Sequence, residues 1–318
     1  MMIDKGVLNS KVTVNGLGSQ VHRLHEAAKR ASMMAVPTNS GFTVGCAALL
    51  QGSNEIITGF NIEKSCCNDA MHAEESMMMG AKAFVSSHPE VSAKPLEAVL
   101  VTAECPNPIS PCGPCRDWLR SYSKDNELPV LMANNQGDAI PTTIGYLLPG
   151  ADSLVRADKA AYRTRLSGSL RHVIKACQER AGGKVIWGMD IIRYVRFKSE
   201  KNVFFHGWTV PRSDYHGVSA VESAFVSVCN QAPGFSGRIV SALVVVPDSE
   251  AADLIYGCER QCLFELAIAQ KRDIDVYVAT TSERSLKTSA LSLLPFGFAA
   301  EPVIQYIRAV ILPEKKDR

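Results

Sequence analysis

The sequence lacks three features that would place it at a membrane, outside the cell or on a nucleic acid. No apolar run reaches the roughly 18 residues that a membrane-spanning helix needs, and the longest candidate, residues 241–247, has the length of a short buried strand. Residues 1–20 are polar and dotted with glycine, without the apolar core of a signal peptide. Basic and acidic residues nearly balance, 34 against 32, so the net charge of +2 argues against strong electrostatic binding to nucleic acids or acidic membranes. These absences predict a cytoplasmic protein that acts on neither a membrane nor a nucleic acid.

The residues that are present are typical of a globular protein. Of the 318 residues, 46% are hydrophobic and 21% are charged, a composition that excludes a wholly disordered chain. The length suggests about two domains. Ten cysteines without a signal peptide favour a reducing compartment, where thiols stay free or bind metal instead of forming disulfides.

The first half of the chain alternates helical and strand patterns. The predicted elements are helix 21–35, a hairpin of strands 42–50 and 55–61, helix 71–85, strand 97–103, helix 112–123, strand 128–133 and a short helix ending at 148. This order predicts an α/β fold.

The second half repeats the order. Its predicted elements are helix 159–180, strands 184–197 and 203–210, helix 218–230, strand 238–246, helix 258–270, strand 275–280 and a short helix ending at 294. Gly59 matches Gly207 at an offset of 148, and Pro149 matches Pro295 at an offset of 146. We therefore predict a duplicated domain, with one copy in residues 1–150, the other in 151–318 and a linker at about 150–158.

Two cysteines in the first half have the spacing of metal ligands. Cys112 and Cys115 follow Ser110, a good helix N-cap residue, and Pro111, which suits the first helical position. Three residues apart in a first helical turn, the two thiols would share one face and make half of a tetrahedral zinc site. A pair of buried, unreactive cysteines would have the same spacing, so the pair alone leaves both interpretations open.

A histidine and an acid at the start of helix 71–85 favour the metal interpretation. Side chains two positions apart diverge inside a regular helix, so we place the helix start at or just before His72, where His72 and Glu74 both reach one site. His72, Cys112 and Cys115 are three ligands, which leave the fourth position of zinc open, as in catalytic zinc sites. Glu74 lies beside them without a ligand role.

The combination of His-x-Glu with Pro-Cys-x-x-Cys resembles the motif of zinc nucleobase deaminases. Residues 42–45 (Phe-Thr-Val-Gly), 61–63 (Asn-Ile-Glu) and 112–116 (Cys-Gly-Pro-Cys-Arg) narrow the resemblance to cytidine deaminase. It is most similar to the homodimeric form, whose chains carry one catalytic domain and one degenerate copy. The resemblance implies a duplicated three-layer domain, each copy with a mixed five-stranded sheet and helices on both faces, and about one zinc ion per chain.

The resemblance also implies the reaction. The protein would hydrolyse cytidine and deoxycytidine to uridine and deoxyuridine with release of ammonia, a step of pyrimidine salvage. Zinc lowers the pKa of bound water and supplies hydroxide near neutral pH. Glu74 takes the water proton, passes it to ring nitrogen N3 and protonates the departing amine.

A set of substrate contacts follows from the same resemblance. Asn61 and Glu63 would hydrogen-bond the ribose hydroxyls, and Glu63 favours a nucleoside because a carboxylate is a poor neighbour for a phosphate. Phe42 would line the pyrimidine pocket, unless it packs in the core, and Ala73 would contact the substrate. Arg116 would either hydrogen-bond a zinc thiolate or face solvent.

The second half lacks this chemistry. Counted along from Gly207, Ala220 falls at the histidine position and Glu222 at the acid position. The cysteines Cys258 and Cys262 are four residues apart instead of three. We therefore predict a non-catalytic copy that binds no zinc, with Glu222 as a structural relic.

An aromatic residue of the family is missing at the matching place in the first half, so its function has either moved to the second half or been lost. Cytidine deaminases often carry a phenylalanine shortly after Leu-Leu-Pro, which reaches a neighbouring active site. Residues 150–152, directly after Pro149, contain no aromatic, whereas Phe296 and Phe298 follow Pro295, and Phe298 matches by its spacing. The alternative is that both are core aromatics at a helix end.

Three further cysteines, Cys66, Cys67 and Cys105, fit no metal-binding pattern and are interpreted as core or free thiols. Two other functions remain open. A polynucleotide or nucleotide cytosine deaminase shares the metal motif, although the polynucleotide enzymes need a basic, aromatic groove. A non-enzymatic zinc scaffold would not need Glu74.

Overall fold

The computed structural model describes residues 5–63, 70–88, 90–92, 94–149, 193–209, 218–231, 237–246, 255–280 and 285–312. The chain divides into two compact units, Met1–Leu148 and Pro149–Arg318, called unit 1 and unit 2 below. Within the described ranges, no helix has the length and apolar character needed to cross a membrane.

Unit 1 is built on a six-stranded mixed sheet with the order β1-β6-β5-β4-β2-β3. Strands β4 and β5 are parallel, and the other neighbouring pairs are antiparallel. The strands are β1 Val12–Thr13, β2 Val44–Leu50, β3 Ile56–Phe60, β4 Leu96–Ala103, β5 Pro129–Ala133 and β6 Asp138–Thr143. The helices are α1 Ser19–Ser32, α2 Ala73–Ser87, α3 Gly113–Ser121 and α4 Ile144–Leu147, with 3-10 turns at Lys5–Val7 and Val14–Leu17.

Helices cover both faces of this sheet because successive side chains of a strand point to opposite faces. Cys46 and Leu50 of β2 pack in one core with Met77 of α2. Leu49 packs in the other core with Leu24 of α1. The result is a three-layer arrangement with the sheet in the middle.

Two glycines let the helices approach the sheet closely. A Cβ at Gly45 would lie 1.9 Å from the carbonyl oxygen of Ala28 in α1, and a Cβ at Gly59 would lie 2.2 Å from the backbone nitrogen of Met77 in α2. Any larger residue at Gly59 would push α2 away from β3. Gly59 therefore sets the distance between α2 and β3. The residues at the start of α2 belong to the candidate site.

The described part of unit 2 repeats the sheet, with the order β11-β10-β9-β7-β8 and β9 parallel to β10. The strands are β7 Tyr194–Ser199, β8 Phe204–Trp208, β9 Ile239–Val246, β10 Asp275–Thr280 and β11 Ser285–Ser289. The helices are α5 Ala220–Gln231, α6 Gly257–Ala269, α7 Ala290–Leu293 and α8 Glu301–Ile311. The predicted α/β fold with mixed sheets and flanking helices is confirmed, and the two-residue β1 is an addition to the five expected strands of unit 1.

Besides β1 and the two 3-10 turns, three elements were not predicted from the sequence patterns: β6, β11 and α8. Strand β6 contains Pro141, and a proline argues against a strand because it cannot donate a ladder hydrogen bond. In the sheet Pro141 lies opposite Leu131, and its carbonyl accepts a hydrogen bond from the Asn9 backbone N–H at 2.7 Å. The predicted helix 159–180, the first residues of the predicted strand 184–197 and the linker at 150–158 lie outside the described residues.

Candidate active site

The candidate site is formed by the N-terminal ends of two helices, α2 and α3. At the N-terminal end of α2, His72 is the N-cap residue, with extended backbone angles (φ −79°, ψ 160°), and Ala73 is the first helical residue. The His72 backbone N–H donates to Glu75 Oε2 at 2.8 Å, which is half of a capping box. The helix thus begins one residue after the predicted start, which was at or just before His72. Because His72 lies outside the regular helix, the divergence of side chains two positions apart in a helix does not separate it from Glu74.

The second helix start, that of α3, differs from the prediction by two residues. Cys112 is the N-cap, and the helix runs from Gly113, so the prediction of Ser110 as N-cap with both cysteines inside the first turn is wrong. The Ser110 hydroxyl is engaged elsewhere: it accepts a hydrogen bond from Arg116 Nη2 at 2.7 Å. Cys112 at the cap and Cys115 in the first turn still present both thiols to one place.

These two helix starts bring three donor atoms together. His72 Nδ1 lies 3.2 Å from Cys112 Sγ and 3.3 Å from Cys115 Sγ. The three ligand atoms lie within 4.8 Å of one another, and no other metal-binding cluster of this kind occurs in the described ranges. Cys112 and Cys115 are 6% and 0% exposed, whereas His72 faces solvent. Two thiolates and an imidazole are a zinc-binding donor set, so these residues fit one Zn²⁺.

The three donor groups of the cluster share protons with one another. The hydrogen bond from Cys115, followed by that from His72, holds the pKa of Cys112 well below its usual value. The same sharing with Cys112 raises the pKa of Cys115 well above its usual value, and burial adds to the rise. The hydrogen bond to Cys112 raises the pKa of His72 to about 9. Zinc binding would displace the protons that His72 and Cys115 hold.

Glu74 is a buried acid beside these ligands. It is 4% exposed, and burial, followed by the charge of Cys112, raises its pKa to about 7. Burial, followed by the charge of Glu74, also raises the pKa of the fully buried Cys46 thiol, so a neutral group accompanies the acid on the β2 side. A carboxyl that gains and loses a proton near neutrality is suited to general acid–base catalysis.

Asn61 joins the segment that carries Phe42 to the end of β3. Its Oδ1 accepts the Val44 backbone N–H at 2.8 Å, and its Nδ2 donates to the Phe42 carbonyl at 2.9 Å. An amide side chain has two donors and two acceptor lone pairs, so one of each is left for another partner. Phe42 itself is 42% exposed, so the alternative that it packs in the core is wrong.

Glu63 holds the loop before Phe42. Its Oε2 accepts the backbone N–H groups of Asn39 and Ser40 at 2.6 and 2.9 Å, and its Oε1 accepts the Ser40 hydroxyl. These bonds, the Ser40 hydroxyl first, lower the pKa of Glu63, so it is ionised at neutral pH. Sequence reasoning missed Asn39 and Ser40; the turn-forming run Thr38–Gly41 was the available signal.

Arg116 is fully buried, so the alternative that it faces solvent is wrong. Its Nε donates to the Pro111 carbonyl and its Nη1 to the Leu147 carbonyl, both at 2.8 Å, in addition to the bond with Ser110. These contacts hold the segment that leads into the cysteines. Its support of a zinc thiolate stays a prediction.

The other proposed site residues are scattered. Ala73 is buried directly after His72. Phe298 and Phe296 are 51% and 39% exposed, so the core alternative does not describe them, and the pocket role of Phe298 stays a prediction. The Cys105 thiol donates to the Asn107 carbonyl at 3.0 Å, away from the metal cluster. Cys66 and Cys67 lie outside the described residues.

The start of α5 in unit 2 corresponds to the start of α2. The backbone N–H of Ser219 donates to Glu222 Oε2 at 2.8 Å, the same bond that joins His72 to Glu75. Ser219 therefore occupies the position of the histidine ligand, and Glu222 occupies that of the capping carboxylate.

This correspondence corrects the count made from Gly207. The acid position holds Val221, which is fully buried, and not Glu222; the ligand position holds Ser219 and not Ala220. The connection from Gly207 to its helix is one residue shorter than its equivalent in unit 1. Helices α2 and α5 consequently match at an offset of 147, although the preceding strands β3 and β8 match at 148.

The start of α6 corresponds to that of α3. Tyr256 is the N-cap of α6, as Cys112 is of α3, and Glu259 follows three residues later, where α3 has its second cysteine. Cys258 and Cys262, the pair singled out from the sequence, occupy neither position.

Comparison with known proteins gives consistent matches. Residues 19–131 match the family model described as the cytidine and deoxycytidylate deaminase zinc-binding region. A cytidine deaminase of Sporosarcina psychrophila is 35% identical over 133 residues, which are 42% of this chain and 91% of the relative. A cytidine deaminase of Halalkalibacterium halodurans is 34% identical over 112 residues, 35% of this chain and 78% of the relative. The crystal structure of cytidine deaminase from Burkholderia pseudomallei is similar over 40% of this chain and 95% of its own, with 33% identity and a TM-score of 0.37.

Proposed function

The chain belongs to the cytidine deaminase family as a zinc-dependent hydrolase, and we propose that it converts cytidine and deoxycytidine to uridine and deoxyuridine with release of ammonia. The observation that carries this proposal is the buried Glu74 beside three converging zinc ligands, His72, Cys112 and Cys115. A structural zinc site needs no such acid, and it is usually closed by a fourth protein ligand.

Zinc, when bound by these three residues, supplies Lewis acidity that activates water near neutral pH. Glu74 does the proton transfer. Ionised, it accepts a proton from the attacking water and passes it to ring nitrogen N3; ionised again, it accepts the second proton from the hydroxyl newly bonded to the ring carbon and passes it to the departing amine. Its burial keeps both forms accessible near neutral pH.

The ribose end of the substrate is assigned to Asn61 and Glu63. Asn61 retains one donor and one acceptor beyond its two backbone contacts, which suits a hydroxyl. Glu63 is ionised, and a carboxylate repels a phosphate group nearby. This arrangement favours a nucleoside over the deoxycytidylate that the family description also names.

We assign catalysis to residues 1–150 and a non-catalytic role to residues 151–318. The second part keeps the sheet order but has no ligand set at the matching positions. A homodimer is the assembly we propose, because the sequence most resembles the homodimeric form with one catalytic and one degenerate domain per chain. Two such chains would hold four deaminase-like domains. Pyrimidine salvage in the cytoplasm, without a nucleic acid partner, is the setting proposed.

A substrate panel tests the function. Ammonia release is measured with cytidine, deoxycytidine, CMP, dCMP and a cytosine-containing oligonucleotide, before and after zinc removal. We expect turnover of the two nucleosides only, lost on chelation and restored by zinc. Glu63→Gln is the matched variant: it keeps the side-chain shape and removes the charge, so dCMP should gain relative to deoxycytidine. Faster turnover of dCMP than of deoxycytidine by the unmodified chain would contradict the nucleoside assignment.

A further inference from the structure

Unit 2 contains a buried ion pair that sequence reasoning did not find. Arg193 Nη1 lies 2.9 Å from Glu259 Oε2, and the two side chains are 1% and 0% exposed. The Arg193 Cζ atom also lies 3.5 Å from the centroid of the Tyr256 ring. A buried charge is costly unless it is compensated. The position of this guanidinium in the fold therefore matters.

Arg193 stands at the position of Val44 in unit 1. The Val44 backbone N–H donates to Asn61 Oδ1 at 2.8 Å, and the Arg193 backbone N–H donates to Thr209 Oγ1 at 3.1 Å. The register of the two hairpins agrees. Gly45, which follows Val44, pairs with the last residue of β3, and Tyr194, which follows Arg193, pairs with the last residue of β8. Val44 packs on the α2 side of its sheet. The same strand position therefore directs Arg193 towards the helices that correspond to α2 and α3.

Two partners of the guanidinium stand at the two cysteine positions. Tyr256 occupies the place of Cys112, and Glu259 occupies the place of Cys115. In unit 1 these positions offer two thiolates to a metal ion. In unit 2 they offer Arg193 a carboxylate and an aromatic face, which are also groups that bind a cation.

We propose that the Arg193 guanidinium is the internal replacement for zinc in unit 2, a cation carried by the chain that fills and closes the former metal site. The inference rests on the metal centre assigned to unit 1. Ser219 and Val221 complete the conversion, because they remove the third ligand and the proton-carrying acid. A tethered cation cannot dissociate, so unit 2 keeps its structure without metal.

Hydrogen exchange of the full-length protein, followed by mass spectrometry, tests the replacement in both units at once. Zinc removal by a chelator should speed exchange at the starts of α2 and α3 and leave α5 and α6 unchanged. Arg193→Met should do the reverse, speeding exchange at the start of α6 by about 100-fold or more, since it strands a buried carboxylate. Arg196→Met is the control: it lies in β7, which begins directly after Arg193, with its guanidinium over the Phe204 ring at 4.9 Å, and should leave α6 as it is.

Two results would overturn the inference: unchanged protection of α6 in Arg193→Met, or loss of that protection on chelation. Failure of α2 and α3 to respond to the chelator would instead contradict the metal centre of unit 1. The two failures are therefore distinguishable, and neither readout depends on activity.

A second experiment rebuilds the metal site and uses zinc content, measured by native mass spectrometry. The variant Ser219→His/Tyr256→Cys/Glu259→Cys restores the three ligands. With Arg193 retained it should hold one zinc per chain, and with Arg193→Val added it should hold two. Two zinc ions in the presence of Arg193, or one in its absence, would show that the guanidinium does not occupy a former metal site.

Discussion

At the start of α2 in unit 1 and of α5 in unit 2, a carboxylate accepts the N–H of the N-cap residue at the same distance, 2.8 Å. Just beyond, Ser76 and Ser223 each accept a backbone N–H from the last residue of the neighbouring strand. The N-cap side chains differ, with His72 in one unit and Ser219 in the other. The bonds that shape the helix start are kept in both units, and the side chain that binds metal is not.

Arg116 and Arg260 extend the comparison to α3 and α6. Both are buried, and each Nε donates at 2.8 Å to the carbonyl of the residue before the N-cap. Each Nη1 donates to the last residue of the following short helix, α4 or α7. Because these contacts recur in a unit without cysteine ligands, they support a structural role for the guanidinium that is independent of zinc.

The largest expected effect is on kcat and distinguishes Glu74 from Glu222, the two acids that counting along the sequence had aligned. Glu74→Gln removes the proton carrier and should lower kcat by at least on the order of 10²–10⁴, with zinc content unchanged. Glu222→Gln, which can still cap α5, should leave kcat within about twofold. Steady-state kinetics and metal analysis of both variants check the contrast. Near-normal turnover by Glu74→Gln would show that another group moves the protons.

The next effect is on stability and concerns the paired arginines. Arg116→Met and Arg260→Met each remove several buried hydrogen bonds from a charged group, at about 1.5–3 kcal/mol each. With three such bonds for each arginine, each change should destabilise its own unit by about 4.5 kcal/mol or more, measured by hydrogen exchange during urea titration. Arg260→Met should keep its zinc. An Arg116→Met protein of normal stability that has lost zinc would favour thiolate support as the main role of Arg116.

The metal site was predictable because its signal is local. Cys112 and Cys115 carry their spacing in the sequence, and His72 with Glu74 adds the third ligand and the acid within three residues. The alignment of unit 2 was not predictable by counting. The connection from Gly207 to α5 is one residue shorter than the connection from Gly59 to α2, so every position of α5 shifts by one relative to the count. The hydrogen bond from Ser219 to Glu222 reveals this shift.

The ion pair of unit 2 could not be read from the sequence for a different reason. Arg193 and Glu259 are 66 residues apart and lie on different elements, so nothing local connects them. An arginine in a strand is ordinarily expected at the surface. Its burial depends on Glu259, which stands in unit 2 at the position of Cys115 and supplies the carboxylate that pairs with it.

A smaller effect is expected for Asn61 and its counterpart. Asn61→Ala removes the amide that joins Val44 to Phe42 and is assigned to the ribose, so kcat/KM for cytidine should fall about 10- to 100-fold. Thr209→Ala, which breaks the corresponding bond in unit 2, should leave kcat/KM unchanged. Equal effects of the two changes would mean that the fold, and not the substrate, depends on Asn61.

The smallest effect is expected at Ser40, which has no part in the proton transfer. In the structure the Ser40 hydroxyl donates to Glu63 Oε1, the carboxylate assigned to the ribose, so a ribose hydroxyl must compete with it. Ser40→Ala removes the competitor, together with the bond that its hydroxyl accepts from the Phe42 backbone N–H at 3.0 Å, and leaves the backbone bonds to Glu63 Oε2 in place. Glu63 stays ionised at neutral pH, because losing one hydrogen bond returns its pKa only towards the ordinary acidic value. One such bond is worth about 0.5–1.5 kcal/mol, so KM for cytidine should fall about two- to twelvefold at constant kcat. Ser53→Ala, in the exposed β2–β3 turn, is the control and should leave KM unchanged. A rise in KM for Ser40→Ala would mean that the hydroxyl holds Glu63 in place for the ribose instead of competing with it.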